Sequence, residues 1–146
     1  MSLERAQIIA AARSWIGTPY LHQASVPGVG CDCLGLVRGV WRQLIGPEPE
    51  RFAPYATDWA EATRTERLAD TGFRHFTPVK LCDVSAGNVL LFRWRNGAPA
   101  QHCGIATSAT HMVHAHEGAC VCEVSLSRFW MRRLAYVFSF PDLSDL

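Results

Sequence analysis

The segment Gly30-Cys31-Asp32-Cys33-Leu34-Gly35 sets two thiols where a glycine-rich loop gives way to a helical repeat. A helix start offers unpaired N–H groups and the positive end of the dipole, and both favour a thiolate over a thiol. The same N–H groups can receive the negative oxygen formed when a thiolate attacks a carbonyl. Cys33 opens the helix and is the candidate nucleophile. Cys31 lies in the loop ahead of it, where the dipole acts less directly. The bland alternative is that both are buried as small apolar residues. Gly35, two residues after Cys33, leaves room for a close approach.

A thiolate chemistry needs a base, and the chain holds six histidines. His102 and His114 flank Thr107-Ser108-Ala109, a three-residue turn candidate, at equal distance from its centre. In a hairpin of that register the two are direct cross-strand neighbours, with Cβ atoms roughly 5 Å apart. One imidazole can then orient the other, the task of the third group in a triad. His116 shares that strand face and takes the place of His114 if the register shifts. His22, His75 and His111 read as ordinary polar residues.

These side chains have to be positioned by neighbouring elements. Ser2 is placed to cap a first helix to about Ile16, with Ile9, Ala12 and Ile16 on one face and Gly17 as its stop. Residues 18–30 read as loop. Leu34, Val37, Trp41 and Leu44 repeat at helical spacing, and Gly46-Pro47 ends that second helix. Residues 47–57 are proline-rich loop. Asp58 with Glu61 marks the cap of a third helix ending at Gly72. Val89-Leu90-Leu91-Phe92 suits a buried strand, and Asn96-Gly97 a turn. Strands follow near 102–107, 111–116, 120–124 and 134–140, with a helical turn through Phe129, Trp130 and Met131 after Ser125 or Ser127. Helices first and antiparallel strands later make an α+β domain, 1–146 as a single unit.

At 146 residues, 49% hydrophobic and 18% charged, the chain can bury a core. A formal charge of +1 with no basic run argues against nucleic acid as a partner. No segment has the length or apolarity to span a bilayer, and Met1–Ile16 lacks the apolar run of a secretory signal, so synthesis and retention in the cytoplasm are expected. The pairs Cys31/Cys33 and Cys120/Cys122 could together hold zinc. Against that, structural zinc sites favour wider spacing and the first pair runs into a helix, so no metal and no cofactor are expected. Cys82 and Cys103 read as packing residues, and Cys120 and Cys122 as small apolar residues sharing one strand face. Trp41 and Trp94 read as core, Trp15 as packing beside the Tyr20 loop. Trp59 shapes a groove or a partner contact.

Five motifs come in order: Gly17-Thr18-Pro19-Tyr20, Asp32-Cys33-Leu34-Gly35-Leu36-Val37, Gly87-Asn88-Val89-Leu90-Leu91-Phe92, His102-Cys103-Gly104-Ile105 and Val113-His114-Ala115. Together they resemble the NlpC-type family of cell-wall peptidases, which are papain-like cysteine hydrolases, and most of all its branch in phage tails and gene transfer agents. The resemblance implies a papain-like fold with N-terminal helices packed on a mainly antiparallel sheet. It implies Cys33 as nucleophile, His102 as base and His114 as the third polar residue, with Tyr20 beside the thiol and Asp32 helping to hold the substrate. Three positions depart from the family pattern. Leu34 stands for a serine near the substrate pocket, Asn88 for an aspartate, and His22-Gln23-Ala24-Ser25 for a Gly-Gly pair.

The implied activity is hydrolysis of an amide bond in the peptidoglycan stem peptide, between D-glutamate and a diamino acid, through a thioacyl-enzyme. The implied setting is the tail of a phage-like particle crossing the cell wall, with another tail protein as docking partner. The alternative is a catalytically silent structural or wall-binding tail component of the same fold. An acyl transferase of related fold would carry its motifs in a different order.

Overall fold

In the computed structural model, which describes residues 3–50 and 66–144, helix α1 spans Arg5–Arg13. It begins on a capping box: the Glu4 N–H donates to Gln7 Oε1 at 2.8 Å. The expected cap, Ser2, lies outside the described residues. The buried face is Ile8, Ala12 and, just past the helix end, Trp15, whereas Ile16 is 46% exposed. The inward stripe therefore starts one residue earlier than expected. Trp15 has the larger apolar surface and takes the inward position.

Trp15 settles against the second helix, α2 (Cys33–Leu44). A Cβ at Gly39 would fall 2.0 Å from its ring, so only glycine lets the two helices approach this closely. The indole N–H donates to Gln43 Oε1 at 3.1 Å. Leu34, Val37 and Trp41 face the core as their spacing predicts. A two-residue hairpin, β2 (Ser25–Val26) with β3 (Gly30–Cys31), interrupts the segment expected to be loop.

Helix α3 spans Arg67–His75. The Asp58–Glu61 cap, residues 51–57 and Trp59 lie outside the described residues. The helix does not stop at Gly72. A Cβ there would meet the Phe138 ring at 2.4 Å, so this glycine serves a close contact and not a terminus. Phe73, the next residue, sets its ring edge-on to Tyr136 and Phe138.

Six strands form one antiparallel sheet in the order β4-β9-β5-β6-β7-β8. They are β4 (Thr77–Val79), β5 (Val89–Phe92), β6 (His102–Ala106), β7 (His111–His114), β8 (Cys122–Ser125) and β9 (Leu134–Ser139). A short helix, α4 (Arg128–Met131), follows Ser127 and leads into β9. One sheet face carries Val89, Leu91, Cys103, Ile105 and Val113 against the helices. The other carries Leu90, Phe92, Ala106, Met112 and Val137 and is covered by Val84, Leu126 and Trp130. β5 is buried on both faces, which explains its unbroken apolar run. Two end strands, β1 (Leu3–Glu4) and β10 (Leu143–Ser144), pair in parallel. The architecture is the expected α+β one. Among the described residues no helix is long and apolar enough to cross a membrane.

The second C-x-C pair shares one face of the extended chain, as expected, but that face is the outer one rather than a packed one. Cys120 precedes β8 and is exposed, Cys122 is half-buried, and Val121 between them is buried. The extended chain alternates, and the apolar valine takes the core side.

Candidate active site

Cys33 is the first residue of α2, and Asp32 caps that helix. Asp32 Oδ1 accepts from the Gly35 N–H at 2.7 Å, while Oδ2 accepts from the Gln23 N–H at 2.7 Å. One carboxylate thus holds both the helix start and the preceding loop. The loop lies tight on the helix: a Cβ at Gly35 would come 1.9 Å from the Ala24 carbonyl oxygen. The close approach expected at Gly35 is made by the protein's own backbone. The amides of Cys33 and Leu34, in the first helical turn, have no intrahelical acceptor and can serve a developing oxyanion.

The Cys33 sulfur sits over the start of β6, 3.8 Å from the Gln101 carbonyl oxygen. Its pKa is held well below the ordinary thiol value. The Cys103 thiol is the largest contributor, followed, against the opposing effect of burial, by the hydrogen bond and charge of His102 and the Cys103 N–H. Cys103 moves the other way, well above the ordinary value, because its thiol donates to the neighbouring sulfur. Cys31 is pushed up to about 12 by burial and by the nearby charges of Asp32 and Cys33. Of the three sulfurs only Cys33 is set to be a thiolate, and it alone is partly exposed.

His102 and His114 are both buried, at 4% exposure each. His102 Nε2 and His114 Nδ1 are 2.8 Å apart. The pairing is made in a different register from the expected one. Ile105 faces Val113 and Ala106 faces Met112, so the register sets His114 opposite Gly104 and on the diagonal from His102. The turn is displaced by one residue, to 108–110, where the Thr110 N–H donates to Ser108 Oγ at 3.1 Å and the Thr107 N–H to the His111 carbonyl at 2.9 Å. Thr107 lies just past the end of β6, buried, its hydroxyl donating to Glu123 at 2.7 Å. The slip moves both histidines by an even step, so they keep a common face. Gly104 makes the diagonal contact possible, since a Cβ there would lie 3.1 Å from the His114 Cβ.

Burial, followed by the charges of His102 and His116, lowers the His114 pKa to about 3. His114 is therefore a neutral ring whose Nδ1 lone pair can accept the Nε2–H of His102. That leaves Nδ1 of His102 to face the thiol. His116 is exposed and has its ring centroid 5.6 Å from that of His102. Trp130 stacks on His102 at 5.3 Å and Trp94 lies tilted against it at 5.2 Å. Trp94, expected in the core, instead walls the site, and so does Trp130. Both follow from tertiary placement, Trp94 lying two residues past the end of β5 and Trp130 in α4, which local spacing does not reveal. Cys103 carried a usable signal. Next to His102 on a strand, it must point to the opposite face, where α2 begins.

Among the described residues no group of three or more His, Cys, Asp and Glu side chains is arranged to hold a metal ion. A model of the NlpC/P60 family matches residues 17–138. The chain belongs to the NlpC/P60 family. It is 26% identical over 138 residues to the gamma-DL-glutamyl hydrolase of Bacillus subtilis, covering 94% of this chain but 30% of that protein. Among solved structures, the NlpC/p60 domain of the peptidoglycan hydrolase SagA superposes with a TM-score of 0.68 at 24% identity, over 94% of this chain and 100% of that one. The peptidoglycan hydrolase RipB of Mycobacterium tuberculosis gives 0.59 at 18% identity, over 92% and 63%. At these identities the structures speak for the fold.

The remaining family positions can now be placed. Tyr20 runs beside Cys31 in a short parallel bridge, half-buried. Burial, then the charges of Cys33 and Asp32, raises its pKa, so it stands by the sulfur as a neutral phenol. Asp32 is 2% exposed, and its observed bonds are those of a helix cap. Leu34, expected near the substrate pocket, points into the core and lines a small apolar cavity with Val37 and Trp41. Asn88, buried, accepts from the Ser85 N–H at 2.9 Å and forms the turn into β5. Two of the three departures from the family pattern are therefore structural substitutions.

Proposed function

We propose that this chain is a cysteine peptidase that hydrolyses an amide bond in peptidoglycan stem peptides. The observation that carries the reading is the convergence of one thiolate-forming sulfur, Cys33, with a buried imidazole pair of fixed orientation. In this chemistry the Cys33 thiolate attacks the carbonyl carbon and the amides at the helix start receive the oxyanion. His102 gives its proton to the leaving amine, and a thioester remains. Water, deprotonated by His102, then releases the acid and restores the thiol. His114 acts as a positioning residue. A neutral ring serves because its task is to accept, and it cannot compete for the proton.

The family membership and the similarity to a glutamyl hydrolase support a γ-glutamyl linkage as the bond cut. Purified protein incubated with isolated peptidoglycan should release soluble peptide, and Cys33→Ala should release at least about 10³-fold less. Equal release by the two would remove the catalytic reading and favour a silent wall-binding component. The finer proposal places the enzyme in the tail of a phage-like particle, docked on another tail protein. It rests on the motif resemblance, and peptides of this chain in purified particles are its test.

A further inference from the structure

Trp94, which packs on His102, also lines a groove of about 580 Å³ together with Arg93, Arg95, Arg132 and Arg133. Its described lining holds four guanidinium-bearing residues and no acid. The whole chain carries a formal charge of only +1, so this concentration is local. It is also built. Arg93 Nη1 donates to Glu66 at 2.9 Å, and Glu66 in turn accepts from the Ala100 N–H at 2.8 Å and the Tyr136 hydroxyl at 3.0 Å. Arg133 lies 3.8 Å over the Phe129 ring and donates to the Phe129 carbonyl at 2.9 Å. Those contacts fix the floor, and Arg95 and Arg132 stand exposed at the rim. Trp94 is the shared wall, its ring centroid 5.2 Å from that of His102. The groove and the candidate base therefore have one neighbour in common, the Trp94 side chain.

We infer that this groove is a subsite for free carboxylates on the peptide substrate, placed beside the bond that is cut. The inference rests on the reading of the Cys33–His102 cleft as a peptidase centre and adds the charge of the substrate it takes. A glutamyl residue linked through its γ-carboxyl keeps its α-carboxylate, so a γ-linked peptide presents anionic groups next to the scissile amide. Guanidinium groups match carboxylates through paired N–H donors. A rim of arginines also draws an anionic chain toward the cleft, an effect that salt weakens.

The test uses the full chain carrying Cys33→Ala, so that binding is read without turnover. A γ-D-glutamyl pentapeptide and its α-carboxamide counterpart are titrated by calorimetry at low and high salt. The carboxylate peptide should bind at least tenfold tighter than the amide, with the gap narrowing in salt. Adding Arg95→Gln and Arg132→Gln, both at exposed positions, should bring the ratio close to one, while Arg13→Gln on α1 should leave it. Equal binding of the two peptides, or a ratio that survives the double substitution, overturns the subsite. A linear polyphosphate that binds as tightly as the glutamyl peptide overturns the carboxylate assignment in favour of simple polyanion attraction. Hydrolysis by the unsubstituted chain is measured separately. Preferential binding without cleavage leaves the subsite standing and removes the peptidase reading, and cleavage without preference does the reverse.

Discussion

The Cys103 thiol and its backbone N–H both favour the anionic form of the Cys33 sulfur, so the activation of Cys33 has a source besides the histidine. Replacing Cys103 with valine fills similar space but removes the donor, and the Cys33 pKa should rise. The rate of alkylation by iodoacetamide, followed against pH, should show its midpoint move upward in Cys103→Val and much less in Cys103→Ser. An unmoved midpoint in the valine variant would assign the whole effect to His102 and the helix. His114 makes a prediction about stability. Its pKa is about 3 in the fold against 6.5 for a free ring, so between those values the unfolded chain binds the extra proton. Stability is therefore complete above pH 6.5 and is lost as pH falls toward 3, by at most about 1.4 kcal/mol per pH unit. His114→Gln keeps an acceptor without the titration. Urea denaturation across that window should give a flatter pH dependence for this variant, and an unchanged slope would mean another group is responsible.

At the level of elements, the site depends on glycines that let backbone come close. Gly104→Ala would bring a Cβ to 2.8 Å from Met112 Sδ as well as against the His114 Cβ. Overpacking of this kind costs about 1–3 kcal/mol, and a tilt of the His114 ring should lower kcat by roughly tenfold or more. Normal kcat in a destabilised Gly104→Ala protein would show that the diagonal contact does not matter. Such details mark how far sequence reading reaches. Helix α2 with Cys33 at its head, strand β5 and the shared face of His102 and His114 were all legible, because each is a periodicity of 3.6 or 2. The hairpin register was not, since it hangs on one serine–threonine turn whose bonds decide between adjacent positions. The inward face of α1 was misplaced by one residue for a similar reason, because Trp15 lies past the helical repeat and outweighs it.

Across the whole molecule the sheet has two functionally different ends. Phe92, His102 and Leu134 meet at one, with the candidate active site and the arginine groove. Val89 and Phe138 pair at the other. Beyond that far end β1 and β10 are joined, the Leu3 N–H donating to the Asp142 carbonyl at 2.8 Å and Leu3 being 7% exposed. Ending the chain after Phe140 should therefore cost on the order of 1–2 kcal/mol, or a few degrees of melting temperature. Well below the melting point, kcat/KM on peptidoglycan fragments should stay near that of the full chain. A loss of activity in the still-folded truncation would show that the two ends are coupled.

The imidazole pair has one further consequence for the proposed chemistry. His114 is buried and only weakly basic, so it draws no proton away from its partner, and the pair is a cul-de-sac on its inner side. A hydrogen that His102 takes up is therefore held on the side of the ring that faces the sulfur. In the proposed acylation step that hydrogen goes outward to the departing amine and not inward to the second ring.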